Sequence, residues 1–274
     1  MNVETKIINA ERTDVVLFNS INEFVQYISS TPENKVFTNE VLASKTGSKD
    51  FTGTVSIQEA YDLLRNGWDD VSEKLYQKLK VEENSAAYAK QSRNVVRVCG
   101  GSPVVPLYLN GIPNNMYSRQ NVMLKKKVIT LNKSIEYNGG VHSTEILDES
   151  LKALSIVKKL ESQGYRCNIN VIFGCFTYDK TIVAKIKVKS ASEKLNISKL
   201  AFPLANPSML RRLSFRFTEV YPGTVISMVG GYGKALRSGQ IRNAFPGEYL
   251  LPSFIRKDID SIKNIEDLES LEKI

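Results

Sequence analysis

The sequence predicts an α/β fold, with a doubly wound and mostly parallel sheet that has one antiparallel edge strand. Three observations support this prediction. From about residue 121, apolar runs typical of buried strands alternate with amphipathic helical patterns. The 274 residues suffice for one large α/β domain. The hydrophobic fraction, 42%, is ordinary for a globular protein.

The first 120 residues should form a helical and extended region that wraps this core. The pattern of Val15–Ser29 favours a short strand or turn that leads into an amphipathic helix, and residues 30–54 have the composition of a loop. Ser56, with Glu59 three residues later, predicts the N-terminus of a helix, and Gly67 predicts its end.

A second helix is predicted over about residues 70–88. The pattern changes after this helix. Residues 94–118 contain a valine-rich run and several turn residues, which exclude a long helix or a central strand. We expect an extended connector here. Four aromatic and methionine side chains should be packing residues within this N-terminal region: Trp68, Tyr108, Met116 and Tyr117.

Residues 121–256 carry the predicted sheet. "KKVITLN" and "YRCNINVIFGCF" are strand patterns, and the helical pattern between them stops at Gly164. "KTIVAKIKVKS" alternates lysine with apolar residues, which is typical of an edge or hairpin strand with one wet face. Asn206 and Pro207 should begin a helix over "NPSMLRRLSFRFTEV". "GTVISMVGGYG" and "GEYLLPSFI" should be the last strands, before an acidic C-terminal helix within residues 257–274.

Composition excludes several classes of protein. No apolar run approaches the roughly 20 residues of a membrane span, and the N-terminal residues lack the pattern of a signal peptide. Three cysteines without C-x-x-C spacing indicate neither a disulfide framework nor a zinc site. We therefore expect a cytoplasmic protein or a component of a particle assembled in the cytoplasm.

The basic residues are concentrated in one part of the chain. Residues 121–256 carry 21 Lys and Arg against 9 Asp and Glu, whereas residues 1–120 carry 13 against 14. Such a block could bind nucleic acid or an acidic protein, or it could be no more than a set of solvated faces.

The polar turn Asn132, Ser134 and Glu136 is the first candidate site. It comes at the end of the first predicted strand of the α/β domain, and ligands of open α/β sheets bind at the carboxyl ends of strands. A glycine-rich segment with Gly230, Gly231 and Lys234 should lie over the same strand ends. It is not a P-loop, because Ala235 replaces the hydroxyl residue that would hold Mg²⁺.

The element order and this turn resemble a von Willebrand factor A-type domain over residues 121–256. In that family the first strand ends in Asp-x-Ser-x-Ser and holds a divalent cation. Here a neutral amide, Asn132, replaces the leading carboxylate, so we expect no bound metal and no cofactor. The resemblance implies a protein partner at the strand ends, with an AAA-type ATPase as the first class to test.

A second candidate is an arginine cluster, with Arg211, Arg212 and Arg216 on one predicted helix and Arg237 downstream. Guanidinium groups match phosphates and carboxylates, so this basic patch could bind either. The alternative is a set of internal salt bridges, in which Arg216 pairs with Glu219. The single histidine, His142, precedes a predicted helix, and no catalytic residue is assigned.

Three sequence blocks resemble an uncharacterised family of tailed-bacteriophage proteins. They are "FTGTVSIQEAYDLLRNGW", "GGSPVVPLYLNGIPNNM" and "KLAFPLANPSMLRRLSFRFTE", in that order. This resemblance implies a protein in the cytoplasm of an infected host cell, or one carried in the virion, and supplies no activity. The leading hypothesis is a non-enzymatic binding or adaptor protein that acts through the strand ends. The alternatives are nucleic-acid binding by the basic block and metal-dependent catalysis with Glu136.

Overall fold

The computed structural model describes residues 1–8, 11–34, 42–69, 71–73, 77, 92–121, 127–176, 180–224, 232, 235–251 and 253. The strands are β1 (Asn2–Ile8), β2 (Glu11–Phe18), β3 (Ser92–Arg97), β4 (Ser102–Pro103), β5 (Met116–Asn121), β6 (Val128–Ser134), β7 (Arg166–Phe176), β8 (Thr181–Lys189) and β9 (Tyr249–Leu250). The helices are α1 (Ile21–Ser30), α2 (Lys49–Thr52), α3 (Ile57–Asn66), α4 (Val105–Leu109), α5 (Ser143–Ser162), α6 (Ile197–Ala205), α7 (Phe215–Val220) and α8 (Ser238–Ala244), with a π-helical segment at Met209–Ser214.

Six strands form the main sheet in the order β1, β2, β8, β7, β6, β9. The pairs β2/β8, β6/β7 and β6/β9 are parallel, whereas β1/β2 and β7/β8 are antiparallel. The predicted α/β class and the mostly parallel sheet are therefore confirmed. Two strands from the first 120 residues, β1 and β2, belong to this sheet, and β1 is its antiparallel edge.

The hairpin predicted for β8 is confirmed, but its position at the edge is wrong. β8 lies between β2 and β7, inside the sheet. Two of its three lysines pair with acidic residues, and only Lys187 is exposed: Lys185 Nζ donates to Glu248 Oε1 at 2.7 Å, and Lys189 Nζ donates to Glu161 Oε1 at 2.7 Å. Acidic partners from distant parts of the chain thus allow a lysine-rich strand in the interior.

The two faces of the main sheet pack against different helices, as in a doubly wound fold. Val16 and Phe18 point into a large core with residues of α1, α3, α5, α6 and α7. Val15, the neighbour of Val16, points into a smaller core with Ile241 and Ala244 of α8. This alternation follows from the two-residue period of a strand.

The predicted helix ends are largely confirmed. Ser56 Oγ accepts a hydrogen bond from the Glu59 N–H at 3.1 Å, and Gly67 ends α3 with φ of 103°. The predicted N-terminal cap at Asn206 is displaced, because Asn206 ends α6 and Ser208 precedes the next helical segment; Asn206 Oδ1 accepts from the Ser208 N–H at 2.8 Å. The chain after it forms a π-helical segment and then α7 rather than one α-helix.

Several predicted elements fall on residues outside the described part of the chain. They are most of the helix over residues 70–88, the strand over residues 223–233 apart from its ends, and the acidic C-terminal helix. In the described residues, no helix has the length and apolarity that crossing a membrane requires. Helices α6 and α8 were not predicted, because Pro203 lies inside α6 and glycine-rich sequence precedes α8.

A second, small sheet is formed by residues 92–121, which we call the small-sheet module. Its strand order is β3, β5, β4, all antiparallel, and α4 lies between β4 and β5 in the chain. Neither of the two hydrophobic cores includes a residue of this module. The expectation that Tyr108 and Tyr117 are packing residues of the N-terminal region is wrong, because these side chains are 64% and 43% exposed.

Candidate functional site

The polar turn occupies the predicted position at the end of a parallel strand. Asn132 and Ser134 are among the last three residues of β6, which is parallel to both of its neighbours, and Glu136 follows two residues later. All three side chains are buried, each with 2% exposure or less. A macromolecular partner could therefore reach none of them without a rearrangement of the chain around them.

The amide of Asn132 is held by side chains of the protein itself. Asn132 Oδ1 accepts from Asn170 Nδ2 on β7 at 2.9 Å, and Asn132 Nδ2 donates to Glu248 Oε2 at 2.8 Å. Lys185 Nζ donates to both oxygens of Glu248, at 2.7 and 3.0 Å. The result is a polar ladder across three strands of the sheet, which fixes the orientation of Asn132.

The carboxylate of Glu136 is surrounded by hydrogen-bond donors. Its Oε1 accepts from the Gly174 N–H at 2.8 Å, and its Oε2 accepts from the Leu236 N–H at 3.0 Å and from Ser134 Oγ at 3.4 Å. Gly174 is needed for this approach, because a Cβ atom there would lie 2.4 Å from the Leu236 side chain. Glu136 thus joins the ends of β6 and β7 to the segment before α8.

Donors within the protein occupy the side-chain oxygens of Asn132 and Glu136, which a metal ion would require as ligands. In the described residues, no group of three or more His, Cys, Asp or Glu side chains is arranged to hold a metal ion. The other residues expected at the strand ends, Gly230, Gly231 and Lys234, lie outside the described part of the chain. The structure therefore brings together Asn132, Ser134 and Glu136 at one strand end.

A buried ion pair, which the sequence did not reveal, lies on the opposite face of β6. Lys133 Nζ contacts Glu149 Oε1 of α5, and their side chains are 0% and 1% exposed. Glu149 also accepts from the Tyr137 hydroxyl at 3.1 Å and from Ser253 Oγ at 2.8 Å. The Lys133 ammonium lies 5.6 Å from the centre of the Tyr137 ring. These contacts offset part of the cost of removing two charges from water.

A second polar cluster surrounds Asp14 of β2. It lies at the end of the main sheet where the turn of Asn132, Ser134 and Glu136 also lies. Asp14 forms an ion pair with Lys180, and it accepts hydrogen bonds from Thr5 Oγ1 at 2.8 Å and from the Tyr221 hydroxyl at 3.1 Å. Burial alone would raise the pKa of Asp14, but these donors outweigh burial and hold the pKa below its ordinary value. Burial and the neighbouring Asp14 raise the pKa of Tyr221.

The helical arginines of the predicted basic patch do not form a surface that a ligand could reach. Arg211 is 3% exposed, and its guanidinium lies 4.2 Å from the centre of the Phe51 ring. It donates to the carbonyl oxygens of Phe51 at 2.6 Å and of Val141 at 2.9 Å. Arg211 therefore joins the π-helical segment to α2 and to the loop before α5.

Arg212, the next residue, is completely buried. Its Nε donates to Thr54 Oγ1 at 2.9 Å, and its two terminal nitrogens donate to the carbonyl oxygens of Ser44, Thr54 and Val55 at 2.9 to 3.1 Å. Backbone carbonyls thus replace the carboxylate that usually accompanies a buried arginine. Burial lowers the pKa of Arg212.

Arg216 completes the internal set. The predicted pair with Glu219 is confirmed at 3.7 Å, and Arg216 also contacts Glu33 at 2.8 Å. Glu219 in turn accepts from the Ser44 hydroxyl at 2.5 Å. Arg237, by contrast, is exposed at the start of α8. The three helical arginines therefore bind parts of the protein to one another, and only Arg237 is available to a ligand.

The exposed apolar surface of the protein lies elsewhere, on the small-sheet module. In the described residues, seven of the twelve exposed large apolar side chains lie between residues 96 and 117. They are Val96, Val98, Val105, Tyr108, Leu109, Ile112 and Tyr117. Arg97 and Arg119 are exposed beside them, and residues 92–121 contain three arginines and no Asp or Glu. The absence of Asp and Glu from residues 92–121 is a signal by which the sequence could have identified this segment.

Comparison with known proteins adds a family but no activity. Residues 4–272 match the family described as Domain of unknown function (DUF7192). No curated protein and no solved structure matches the chain. The resemblances to von Willebrand A domains and to tailed-bacteriophage proteins therefore stay predictions.

Proposed function

We propose that this chain, which belongs to the DUF7192 family, is a protein-binding adaptor whose docking surface is the small-sheet module. The observation that carries the proposal is the concentration of exposed apolar side chains on residues 92–121. Leu109, Val98 and Tyr108 are 76%, 68% and 64% exposed. Contiguous exposed apolar surface on a protein commonly marks an interaction site.

The composition of the module favours a protein partner over a nucleic acid. Most of its exposed apolar side chains are aliphatic, and aliphatic groups do not stack on bases as aromatic rings do. Tyrosine and arginine, which are present as Tyr108, Tyr117, Arg97 and Arg119, are enriched among the residues that dominate protein interfaces. The nucleic-acid alternative also loses Arg211, Arg212 and Arg216, whose guanidinium groups are used inside the protein.

The proposed docking surface is not at the strand ends, where the sequence predicted the partner-binding site. Asn132 and Glu136 are 1% exposed, and their polar atoms are hydrogen-bonded within the protein. Their arrangement supports a structural role that holds β6, β7 and the segment before α8 together. The AAA-type ATPase implied by the von Willebrand resemblance is still the first partner class to test.

The test compares variants in affinity capture from infected cells, followed by binding between purified proteins. The wild-type chain should capture a protein that binds it again when each is produced separately. Val98→Asp and Leu109→Asp should weaken that binding at least about tenfold, because each places a charge in an apolar interface. Val128→Asp is the matched control, since Val128 is 61% exposed but lies on β6 of the main sheet.

Two results would contradict the proposal. One is equal binding by the wild type and by both module variants, which would place the interface elsewhere. The other is binding that is lost in Val128→Asp as strongly as in Val98→Asp, which would indicate a general effect of added charge. Circular dichroism of every variant shows whether its fold is retained.

A further inference from the structure

The outer edge of β3 indicates what kind of partner segment the small-sheet module would bind. β5 is the central strand of the module, and β3 pairs with it along six residues, from Ser92 opposite Asn121 to Arg97 opposite Met116. Within the described residues, no strand pairs with the other side of β3. This edge therefore carries backbone donors and acceptors that the module does not use.

The hydrogen bonds of β5 show which backbone groups of β3 point outward. The Tyr117 carbonyl accepts from the Gly101 N–H at 2.8 Å, so the backbone of Tyr117 faces β4. In an antiparallel sheet successive residues face opposite neighbours, so Ser118 faces β3 and exchanges hydrogen bonds with Val95. The backbone groups of Asn94 and Val96, which flank Val95, therefore point away from β5 toward the free edge.

β3 lacks several of the features by which edge strands usually avoid pairing. Its sequence, "SRNVVR", contains no proline, its register with β5 is continuous, and its only charged residues are two arginines. β1, the edge of the main sheet, carries Glu4 and Lys6, whose side chains form an ion pair at 3.3 Å. The contrast indicates that the β3 edge is available for an added strand.

Charge determines what kind of strand would add. The module contains Arg93, Arg97 and Arg119 and no acidic residue. Val96 and Tyr117 lie opposite each other on one exposed face, and residues two apart on a strand share a face, so Arg119 lies beside them. A second copy of the same module would bring like charges together, whereas an acidic segment would complement them.

We propose that β3 accepts an extended acidic segment of a partner protein, which adds to the small sheet as a fourth strand. Backbone hydrogen bonds to Asn94 and Val96 would supply affinity. In a segment that alternates acidic and apolar residues, the acidic ones would lie beside Arg97 on one face and the apolar ones beside Val96 and Tyr117 on the other. This inference rests on the proposed protein-binding function. It adds the conformation and the charge of the partner segment.

The test is selection from a displayed library of random decapeptides on the purified full-length chain. Enriched peptides should be acidic, should alternate apolar and acidic residues, and should contain no proline at alternate positions. Their synthetic forms should lose at least about tenfold in affinity for Asn94→Pro, which removes an outward N–H, and retain affinity for Asn94→Thr, which keeps it. Arg97→Glu with Arg119→Glu should abolish binding of the acidic peptides.

Hydrogen exchange of the Ser118 amide shows whether the β3–β5 ladder survives in Asn94→Pro. If that variant loses the ladder, Val96→Pro takes its place. No enrichment, enrichment of basic or helical peptides, or equal binding by the proline and threonine variants would overturn the inference. Competition by a single-stranded oligonucleotide that is stronger than competition by the acidic peptide would also overturn it.

The two proposals fail in different ways. If Val98→Asp abolishes binding of the partner protein while Asn94→Pro does not, the docking surface stands and strand addition is wrong. If neither variant affects partner binding, the docking surface itself is wrong.

Discussion

Arg212 and Thr54 are joined by two hydrogen bonds, one to the threonine hydroxyl and one to its carbonyl, both at 2.9 Å. Arg212 comes from the π-helical segment, whereas Thr54 comes from the loop between α2 and α3. A single guanidinium thus attaches a segment of the N-terminal part of the chain to the interior of the α/β fold.

Replacement of Arg212 should therefore destabilise the whole protein. Arg212→Met leaves the carbonyls of Ser44, Thr54 and Val55 without this donor, and we expect a loss of about 3 to 5 kcal/mol in the free energy of unfolding. Urea denaturation measures the loss. Arg237→Met, at an exposed arginine, is the control and should change stability by no more than about 0.5 kcal/mol. Similar losses in the two variants would contradict the role given to Arg212.

The buried pair Lys133 and Glu149 predicts a non-additive pair of mutations. Lys133→Met should cost about 3 to 5 kcal/mol, because Glu149 keeps its charge in an apolar interior. The double variant with Glu149→Leu should recover much of this loss, since neither charge is then buried. A double-mutant cycle by urea denaturation measures the coupling. A double variant less stable than Lys133→Met would contradict the prediction, because Glu149 would then stabilise the fold without Lys133.

The Asn132, Ser134 and Glu136 turn should bind no divalent cation at physiological concentration. A ligand at about 100 times its dissociation constant stabilises a protein by roughly 2.7 kcal/mol, which a thermal melt detects. We expect no shift with 1 to roughly 10 mM Mg²⁺ or Mn²⁺, because donors within the protein occupy the Glu136 oxygens and the leading ligand is a neutral amide. An upward shift that Glu136→Ala abolishes would show a working site, and a shift gained only in Asn132→Asp would show a degenerate one.

The three cysteines should differ sharply in reactivity. Cys99 is exposed on the small-sheet module, whereas Cys167 and Cys175 are buried. Burial raises the pKa of Cys167 to about 12 and also raises the pKa of Cys175, so little thiolate is present at neutral pH. Titration with a disulfide reagent should find one fast thiol in the native protein and three after unfolding. Cys99→Ser should remove the fast phase, and a fast phase that persists would contradict the assignment.

Asp14 should make stability depend on pH in the acidic range. Its folded pKa lies below the ordinary value of 3.8, so its contribution is complete above about that pH and is lost as the pH falls through the folded value. Unfolding measured between roughly pH 2 and 6 should show the wild type losing its advantage over Asp14→Asn at the acidic end. Tyr221→Phe removes one donor and should shift this loss to higher pH. A pH profile identical in the wild type and Asp14→Asn would contradict this role.

The features that were predicted from the sequence depend on neighbouring residues. The cap at Ser56 and the end of α3 at Gly67 involve groups within a few positions. The position of Asn132 at the end of β6 follows from the hydrophobic pattern of the strand itself. Such signals can be recognised in a short window of sequence.

The features that were missed depend on distant residues. Lys185 was assigned to a wet face because its partner, Glu248, comes from a loop far along the chain. Arg211 and Arg212 donate mainly to backbone carbonyls, which any residue type provides, so the sequence carries no trace of their partners. The exposure of Tyr108 and Leu109 was missed because an apolar residue is usually assigned to a core.

The strand order of the main sheet constrains how the chain can fold as it leaves the ribosome. β2 pairs with β8, with Val15 opposite Val183, so β1 and β2 gain their third strand only after most of the chain has been synthesised. Arg212, which holds the segment around Thr54, emerges later still. Contacts between such distant residues slow folding, and the nascent N-terminal strands stay open to chaperones or to aggregation in the meantime.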